Sequence, residues 1–146
     1  MSQPGAATKL RVLFLCTGNS ARSQMAEGLL RHLGGDRFEV ASAGTHPGSV
    51  RPEAIAVMRE LGVDISHHRS KSLDEFLGQP FDYVITVCDQ ARQSCPVFPG
   101  LAERIHWSIE DPAAAQGSEA ERLEVFRRAR EELRRRIEEF LAAQSR

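Results

Sequence analysis

A cysteine and an arginine, Cys16 and Arg22, are separated by five residues and stand between a short apolar run and a helical pattern. A loop of this length can curl so that its backbone N–H groups point inward at the start of a helix, where the helix dipole also favours negative charge. The spacing therefore predicts a binding site for a tetrahedral oxyanion. The predicted oxyanion-binding residues are Thr17, Gly18, Asn19, Ser20, Ala21 and Arg22.

The residue types around this loop suit a thiol nucleophile. Gly18 is expected to allow the backbone conformation that the curl requires, and Arg22 to bind two oxygens of the anion. The same N–H groups and guanidinium should stabilise a thiolate at Cys16, with Ser23 donating a hydrogen bond to the sulfur. The alternative interpretation is an inert cysteine at a strand end, but the matching glycine, arginine and serine argue against it.

Two further cysteines, Cys88 and Cys95, occupy a polar stretch that we expect to be a loop after the third strand. An odd total of three cysteines argues against a secreted disulfide framework and suggests reactive thiols or incidental core cysteines. Half of a zinc site is another alternative. The five histidines are scattered and no closely spaced ligand pair occurs, so we predict neither a metal ion nor another cofactor.

The candidate general acid is Asp111, which precedes Pro112 in a predicted loop after the fourth strand. That loop should return to the sheet edge where Cys16 lies, and an acid there can protonate a leaving oxygen. An Asp-Pro pair alone is a weak signal, since it also starts turns and caps helices.

The elements that must position these residues alternate between strand and helix. Short apolar runs predict strands, helical periodicity predicts helices, and Ser118 with Glu121 fits a capping box. The alternation predicts an α/β fold with a parallel sheet covered on both faces, whose ligands bind beyond the carboxyl ends of the strands. Strands are expected at residues 10–15, 38–42, 83–87 and 105–107, and helices at about 21–33, 49–61 and from 118 onward.

Length and charge limit the remaining function classes. The 146 residues fit a flexible leader, 1–8, and a single catalytic domain, 9–146. A net charge of −1 argues against nucleic acid as a partner. The arginines at 134–136 stand between pairs of glutamates, which favours a solvated helix face over a phosphate-binding patch. No apolar run approaches the ~20 residues of a membrane span, and no secretory signal is evident, which predicts a cytoplasmic protein.

The stretch from Val12 to Glu27, VLFLCTGNSARSQMAE, resembles the active-site segment of low molecular weight protein tyrosine phosphatases and of the arsenate reductases built on their fold. Thr-Gly-Asn-Ser followed by Ser-Gln-Met-Ala-Glu is the reductase form. The resemblance continues through Ser42-Ala43-Gly44 and the Cys88 region to Trp107 and Asp111. It implies a three-layer fold with a four-stranded parallel sheet.

The resemblance also implies a thiol relay of the thioredoxin-coupled type. Arsenate, a phosphate mimic, would be bound by the loop and attacked by Cys16. Cys88 would attack the Cys16 sulfur, arsenite would leave, and Cys95 would open the resulting disulfide. The final Cys88–Cys95 disulfide would be reduced by thioredoxin.

The chain departs from the family patterns at several positions. Ala113 follows Asp111-Pro112 where phosphatases carry aromatic residues, so this position does not supply an aromatic wall for a phosphotyrosine pocket. Ala21 replaces a further cysteine that some reductases carry in the loop. Lys71 stands where an acidic ligand is expected for the potassium ion that some relatives hold at the positions of Asn19, Glu27 and Ser42.

The leading hypothesis is arsenate reduction. A phosphomonoesterase that needs only the anion loop and Asp111 is the second hypothesis. A non-catalytic thiol sensor that uses Cys88 and Cys95 as a redox switch is the third.

Overall fold

Four parallel strands form one sheet in the part of the chain that the computed structural model describes, which comprises residues 9–95, 98, 100 and 102–144. The strands are β1 (Leu10–Cys16), β2 (Phe38–Gly44), β3 (Tyr83–Thr86) and β4 (Glu103–His106), in the order β2-β1-β3-β4. Helices pack on both faces, as predicted. The predicted leader, 1–8, lies outside the described residues.

Strand β1 is central because it pairs with β2 on one side and β3 on the other. Its residues Val12, Leu13, Phe14 and Leu15 are completely buried, which explains an apolar run without alternation. The register places Cys16 opposite Gly44 of β2. The carboxyl ends of β1, β2 and β3 therefore meet at one edge of the sheet.

Four α-helices are described: α1 (Arg22–Gly34), α2 (Pro52–Arg59), α3 (Asp89–Ser94) and α4 (Glu119–Gln144). Helix α3 corrects the sequence-based expectation of a polar loop between Cys88 and Cys95. The Cys88 sulfur caps α3 by accepting a hydrogen bond from the backbone N–H of Ala91 at 3.4 Å. Sulfur is a weak acceptor and was not expected as a cap, since N-caps are usually Ser, Thr, Asp or Asn.

Several predicted boundaries shift. Helix α2 was expected from Ser49, but Arg51 is extended, with φ −70° and ψ 135°, and the helix begins at Pro52. The residue before a proline avoids the helical region, which explains the later start. Strand β2 continues to Gly44, and β4 ends at His106, one residue before Trp107.

Helix α4 packs on α1 and α2 and carries Phe140 into an aromatic cluster with Phe38, Tyr83 and Trp107. Its capping box is confirmed, because Glu121 N–H donates to Ser118 Oγ and Ser118 N–H donates to Glu121 Oε1. The arginines at 134–136 pair with glutamates one turn away, as a solvated face does. Among the described helices, none is both long and apolar enough to cross a membrane.

Helix α2 is fixed against α4 by Glu60. The Glu60 carboxylate accepts hydrogen bonds from Arg127 and from the buried Arg130 at 2.8 Å each, and these bonds lower its pKa to about 2. Arg130 also donates to the carbonyl oxygen of Val57, within α2. These contacts fix α2 against α4. The first turn of α2 directly follows the segment that runs beside the Cys16 loop.

The end of β2 approaches the Cys16 loop so closely that only glycine fits. A Cβ atom at Gly44 would lie 2.5 Å from the Thr17 carbonyl oxygen and 2.9 Å from the Asn19 nitrogen. Both contacts are with backbone, which cannot rotate away. Gly48, four residues later, has no atom within 4 Å of such a position.

We therefore predict that Gly44→Ala destabilises the protein by roughly 2 kcal/mol, because the loop must shift to relieve the overlap. Gly48→Ala is the matched control and should remain within about 0.5 kcal/mol of the wild type. Denaturant unfolding measures both values. Equal stabilities of the two variants would contradict the close approach.

Candidate active site

The loop between β1 and α1 has its carbonyl groups bound from outside. The N–H groups of Thr45, His46, Gly48 and Arg51 donate to four carbonyl oxygens in or next to the loop, at distances of 2.8–3.2 Å. The acceptors, in the same order, are Cys16, Thr17, Gly18 and Ser20. Because these carbonyls are bound from outside, N–H groups of the loop can face the interior of the curl, an arrangement that would suit an anion.

Asn19 makes the tightest bend of the loop. It adopts a left-handed conformation with φ 47°, whereas Gly18, which was expected to provide the special conformation, has no positive φ. The Asn19 side chain compensates for this conformation through hydrogen bonds. Its Oδ1 accepts from Gln24 Nε2 at 2.9 Å and from the Lys71 N–H at 3.0 Å.

Cys16, the last residue of β1, lies beneath the loop and is 2% exposed. Its sulfur is 2.8 Å from Ser23 Oγ and 3.2 Å from the Asn19 nitrogen, whose N–H donates to it. Asn19 Nδ2 already donates to Ser23 Oγ at 2.8 Å. The Ser23 hydroxyl proton is therefore available to the sulfur, and both donors stabilise a thiolate.

The buried polar network continues from the loop into α1. Asn19 Nδ2 donates to Ser42 Oγ at 3.0 Å, and the Ser42 hydroxyl donates to Glu27 Oε1 at 2.5 Å. Burial lowers the pKa of the Lys71 ammonium, and the nearby Glu27 carboxylate opposes this shift. Within the described residues, no group of three His, Cys, Asp or Glu side chains is arranged to hold a metal ion.

His68 extends this buried polar network through Gln24. Its Nδ1 is 2.9 Å from Gln24 Oε1, and because that oxygen can only accept, Nδ1 carries a proton. Burial lowers the pKa of His68, although the Glu27 carboxylate opposes the shift. The sequence-based predictions did not include Gln24 or His68, because a polar side chain gives no sign in the sequence of which backbone it will support.

A cavity of about 210 Å³ opens above the loop. Arg22 Nη1 donates to the Ile109 carbonyl oxygen at 3.0 Å, and Arg22 Nη2 lies 3.6 Å from Asp111 Oδ2. The fourth strand thus returns Asp111 to the same edge as Cys16, as predicted. The cavity is lined by Cys16, Thr17, Gly18, Ser20, Ala21, Arg22, Arg51, Asp111 and Ala113.

Two features of this lining differ from the predicted set. Asn19 does not line the cavity; its N–H points to the Cys16 sulfur and its side chain is buried below the loop. Arg51 does line the cavity, and the sequence analysis missed it. The sequence signal for Arg51 was the proline that follows it. Pro52 starts the helix after β2, so the residue before it lies at this edge of the sheet.

Neither Cys88 nor Cys95 lines this cavity. Cys88 is buried and follows β3, and its sulfur is 3.3 Å from Thr17 Oγ1. Cys95 is half-buried at the other end of α3, where burial raises the pKa of its thiol and the Arg104 guanidinium opposes the shift. None of the three cysteines is in a disulfide.

Helix α3 is tied to the sheet by a short polar chain. His106 Nδ1 is 2.7 Å from Thr86 Oγ1, and His106 Nε2 is 3.0 Å from Asp89 Oδ1. Because a carboxylate only accepts, His106 Nε2 donates to Asp89. The first residue of α3 is therefore held on β4, next to Cys88.

A model of the low molecular weight phosphotyrosine protein phosphatase family matches residues 11–146. An arsenate reductase of Halalkalibacterium halodurans is 46% identical over 129 residues, which cover 88% of this chain and 93% of that protein. A solved thioredoxin-dependent arsenate reductase of Corynebacterium glutamicum is 32% identical, with a TM-score of 0.73 over 94% of this chain and 63% of that one.

The fold extends to a more distant tyrosine phosphatase of Erwinia amylovora, with a TM-score of 0.77 at 23% identity over 97% of each chain. The family match spans nearly the whole sequence and includes the Cys16 loop, α3 and Asp111. The chain belongs to the low molecular weight phosphotyrosine protein phosphatase family and, within it, to the group that contains the arsenate reductases.

Proposed function

We propose that this protein reduces arsenate to arsenite in the cytoplasm, through a thiol adduct at Cys16 and a disulfide relay over Cys88 and Cys95 that thioredoxin regenerates. The relatives that match the chain, an arsenate reductase at 46% identity among them, support this activity. The relay starts from three reduced cysteines, which fits a reducing compartment such as the cytoplasm.

The position of Cys88 is the observation that carries the proposal. Hydrolysis of a phosphate ester by this loop needs only one thiol. Here a second thiol is hydrogen-bonded at 3.3 Å to Thr17, the residue that follows the nucleophile. The Val87 N–H also donates to the Leu15 carbonyl oxygen at 2.9 Å, so the ends of β1 and β3 keep the two cysteines on adjacent strands.

In the first step the thiolate of Cys16 attacks arsenic in the bound arsenate. A sulfur–arsenic bond forms and an arsenic–oxygen bond breaks. Asp111 lines the cavity and would donate a proton to the departing oxygen, which leaves as water. Arg22 and the inward N–H groups of the loop would bind the remaining arsenate oxygens.

In the second step the thiolate of Cys88 attacks the Cys16 sulfur. A Cys16–Cys88 disulfide forms, the sulfur–arsenic bond breaks, and its electron pair stays on arsenic. Arsenic is thereby reduced from the +5 to the +3 state, and the two sulfur atoms are oxidised. Arsenite leaves the cavity.

In the third step Cys95 attacks Cys88, which releases the Cys16 thiolate and forms a Cys88–Cys95 disulfide. The cysteines flank α3 and are seven positions apart, so a helical rise would separate them by about 10 Å. A disulfide needs Cα atoms within about 7 Å, so α3 must open. Opening exposes the disulfide to the dithiol of thioredoxin, which reduces it and is itself oxidised.

Phosphomonoester hydrolysis is the second candidate function. The cavity offers the same nucleophile, anion loop and acid, which favours some activity on a small aryl phosphate. Among the described residues that line the cavity, none is aromatic, whereas an aryl ring gains most from aromatic walls. The cavity therefore fits a small inorganic oxyanion better than phosphotyrosine.

We expect Cys16→Ser to abolish both arsenate reduction and aryl phosphate hydrolysis, because a serine hydroxyl does not ionise under these conditions. Arsenate-dependent NADPH oxidation coupled through thioredoxin and its reductase measures the first activity. Release of p-nitrophenol from its phosphate measures the second. Activity near the wild-type level in either assay, with an intact fold by circular dichroism, would refute the role of Cys16.

Substitutions of Cys88 and Cys95 distinguish arsenate reduction from aryl phosphate hydrolysis. Cys88→Ser and Cys95→Ser should each lose multiple-turnover arsenate reduction, while hydrolysis of the aryl phosphate persists. Without a reductant, Cys95→Ser should release one arsenite per molecule and accumulate a Cys16–Cys88 disulfide, which peptide mass mapping detects. Cys88→Ser should release none, because its Cys16 adduct cannot be resolved.

Repeated turnover by Cys88→Ser with thioredoxin would contradict the relay and favour the phosphatase. Absence of both activities in the wild type would leave the thiol-sensor hypothesis.

A further inference from the structure

Arg51 is a second guanidinium at the mouth of the anion cavity. Its backbone N–H donates to the Ser20 carbonyl oxygen at 2.8 Å, which holds the residue against the loop. Its side chain is exposed and lines the cavity together with Arg22 and Asp111. The backbone of Arg51 is therefore fixed, and its long side chain can reach over the cavity.

The charges around the cavity make Arg51 the cation that a bound anion would meet at the surface. Arg22 is largely buried, lies 3.6 Å from Asp111 Oδ2 and donates to the Ile109 carbonyl oxygen, so its guanidinium is held inside the cavity. No ion pair between described residues involves Arg51. The substrate brings negative charge to a thiolate, so an additional cation offsets the repulsion.

The shape of the loop determines which oxygen Arg51 can bind. In an anion held in the cavity with its central atom above the Cys16 sulfur, the loop N–H groups and Arg22 would surround three oxygens. The fourth oxygen, opposite the sulfur and the one that leaves in the first step, would point out of the cavity. In free arsenate or phosphate that oxygen is unesterified and accepts hydrogen bonds strongly. In a monoester the same position carries the organic group.

We propose that Arg51 is a substrate-binding residue that selects free inorganic oxyanions over derivatives substituted at the outward oxygen. This inference deepens the proposed function and rests on it for the identity of the substrate. The specificity comes from a contact to the one oxygen that distinguishes arsenate from an ester. Removing the guanidinium should therefore weaken the binding of inorganic oxyanions selectively.

The test measures how anions protect Cys16 from alkylation by iodoacetamide, which requires no turnover. A Cys88→Ser/Cys95→Ser background leaves Cys16 as the only thiol. The probes are inorganic phosphate and methylphosphonate, in which a methyl group replaces one oxygen. Arg51→Gln removes the charge, Arg51→Lys keeps it, and Arg59→Gln, at the far end of α2, is the matched control.

Arg51→Gln should raise the phosphate concentration for half-protection roughly fivefold, as suits an exposed charged contact. Protection by methylphosphonate should change less than about twofold. Arg51→Lys should retain most of the phosphate affinity, and Arg59→Gln should behave as the parent. Added salt should reduce the difference between Arg51→Gln and the parent, since exposed charges are screened.

Two results would overturn the inference. The first is unchanged protection by phosphate in Arg51→Gln. The second is an equal loss of protection by phosphate and by methylphosphonate, which would indicate only a general electrostatic attraction. The reduction assay is separate. In one outcome, the wild type fails to reduce arsenate while Arg51→Gln selectively loses protection by phosphate. That result would refute the proposed function and support the role of Arg51. If reduction proceeds and the selectivity is unchanged, only the role of Arg51 falls.

Discussion

The outward bonding of the loop carbonyls is the constraint on which the rest of the site depends. Residues 45–51 bind carbonyl oxygens of the Cys16 loop from outside, so these carbonyls do not compete for the N–H groups of the loop. That segment can run alongside the loop only because Gly44 has no side chain. The register that pairs Cys16 with Gly44 thus prepares the loop for an anion before one arrives.

The three thiols differ in how strongly the surrounding structure restrains them. Cys16 ends the central strand and is fixed by Ser23 and the Asn19 backbone. Cys88 and Cys95 flank a helix of six residues, which is too short to be stable on its own. Helix α3 contacts the sheet through the buried Ala91 and through the Asp89–His106 contact, which involves an exposed carboxylate. The proposed relay therefore requires a short helix beside the candidate anion site to open, while the Cys16 end of β1 stays in place.

Much of this could be predicted from sequence, because the strongest signals are local. The buried run of β1, the Cys16–Arg22 spacing and the capping box at Ser118 each involve neighbouring residues. The errors have both local and long-range causes. Cys88 caps a helix through Ala91, three residues later, although sulfur is a weak acceptor, and α2 starts late because of Pro52, which leaves Arg51 beside the cavity. The left-handed bend falls on Asn19, whose side chain is bound by Gln24 and by the backbone of Lys71, a contact between residues far apart in sequence.

The burial of Cys95 bears on the order of events in the proposed relay. A thiol attacks a disulfide as the thiolate, and burial raises the pKa of Cys95, which disfavours its thiolate while α3 is folded. The Cys16 sulfur is instead hydrogen-bonded to Ser23 Oγ and to the Asn19 N–H. Opening α3 would expose Cys95 to water and remove the cause of its raised pKa. Cys95 would then become an effective nucleophile only after Cys88 had left its capping position, which disfavours a Cys88–Cys95 disulfide before arsenic is reduced.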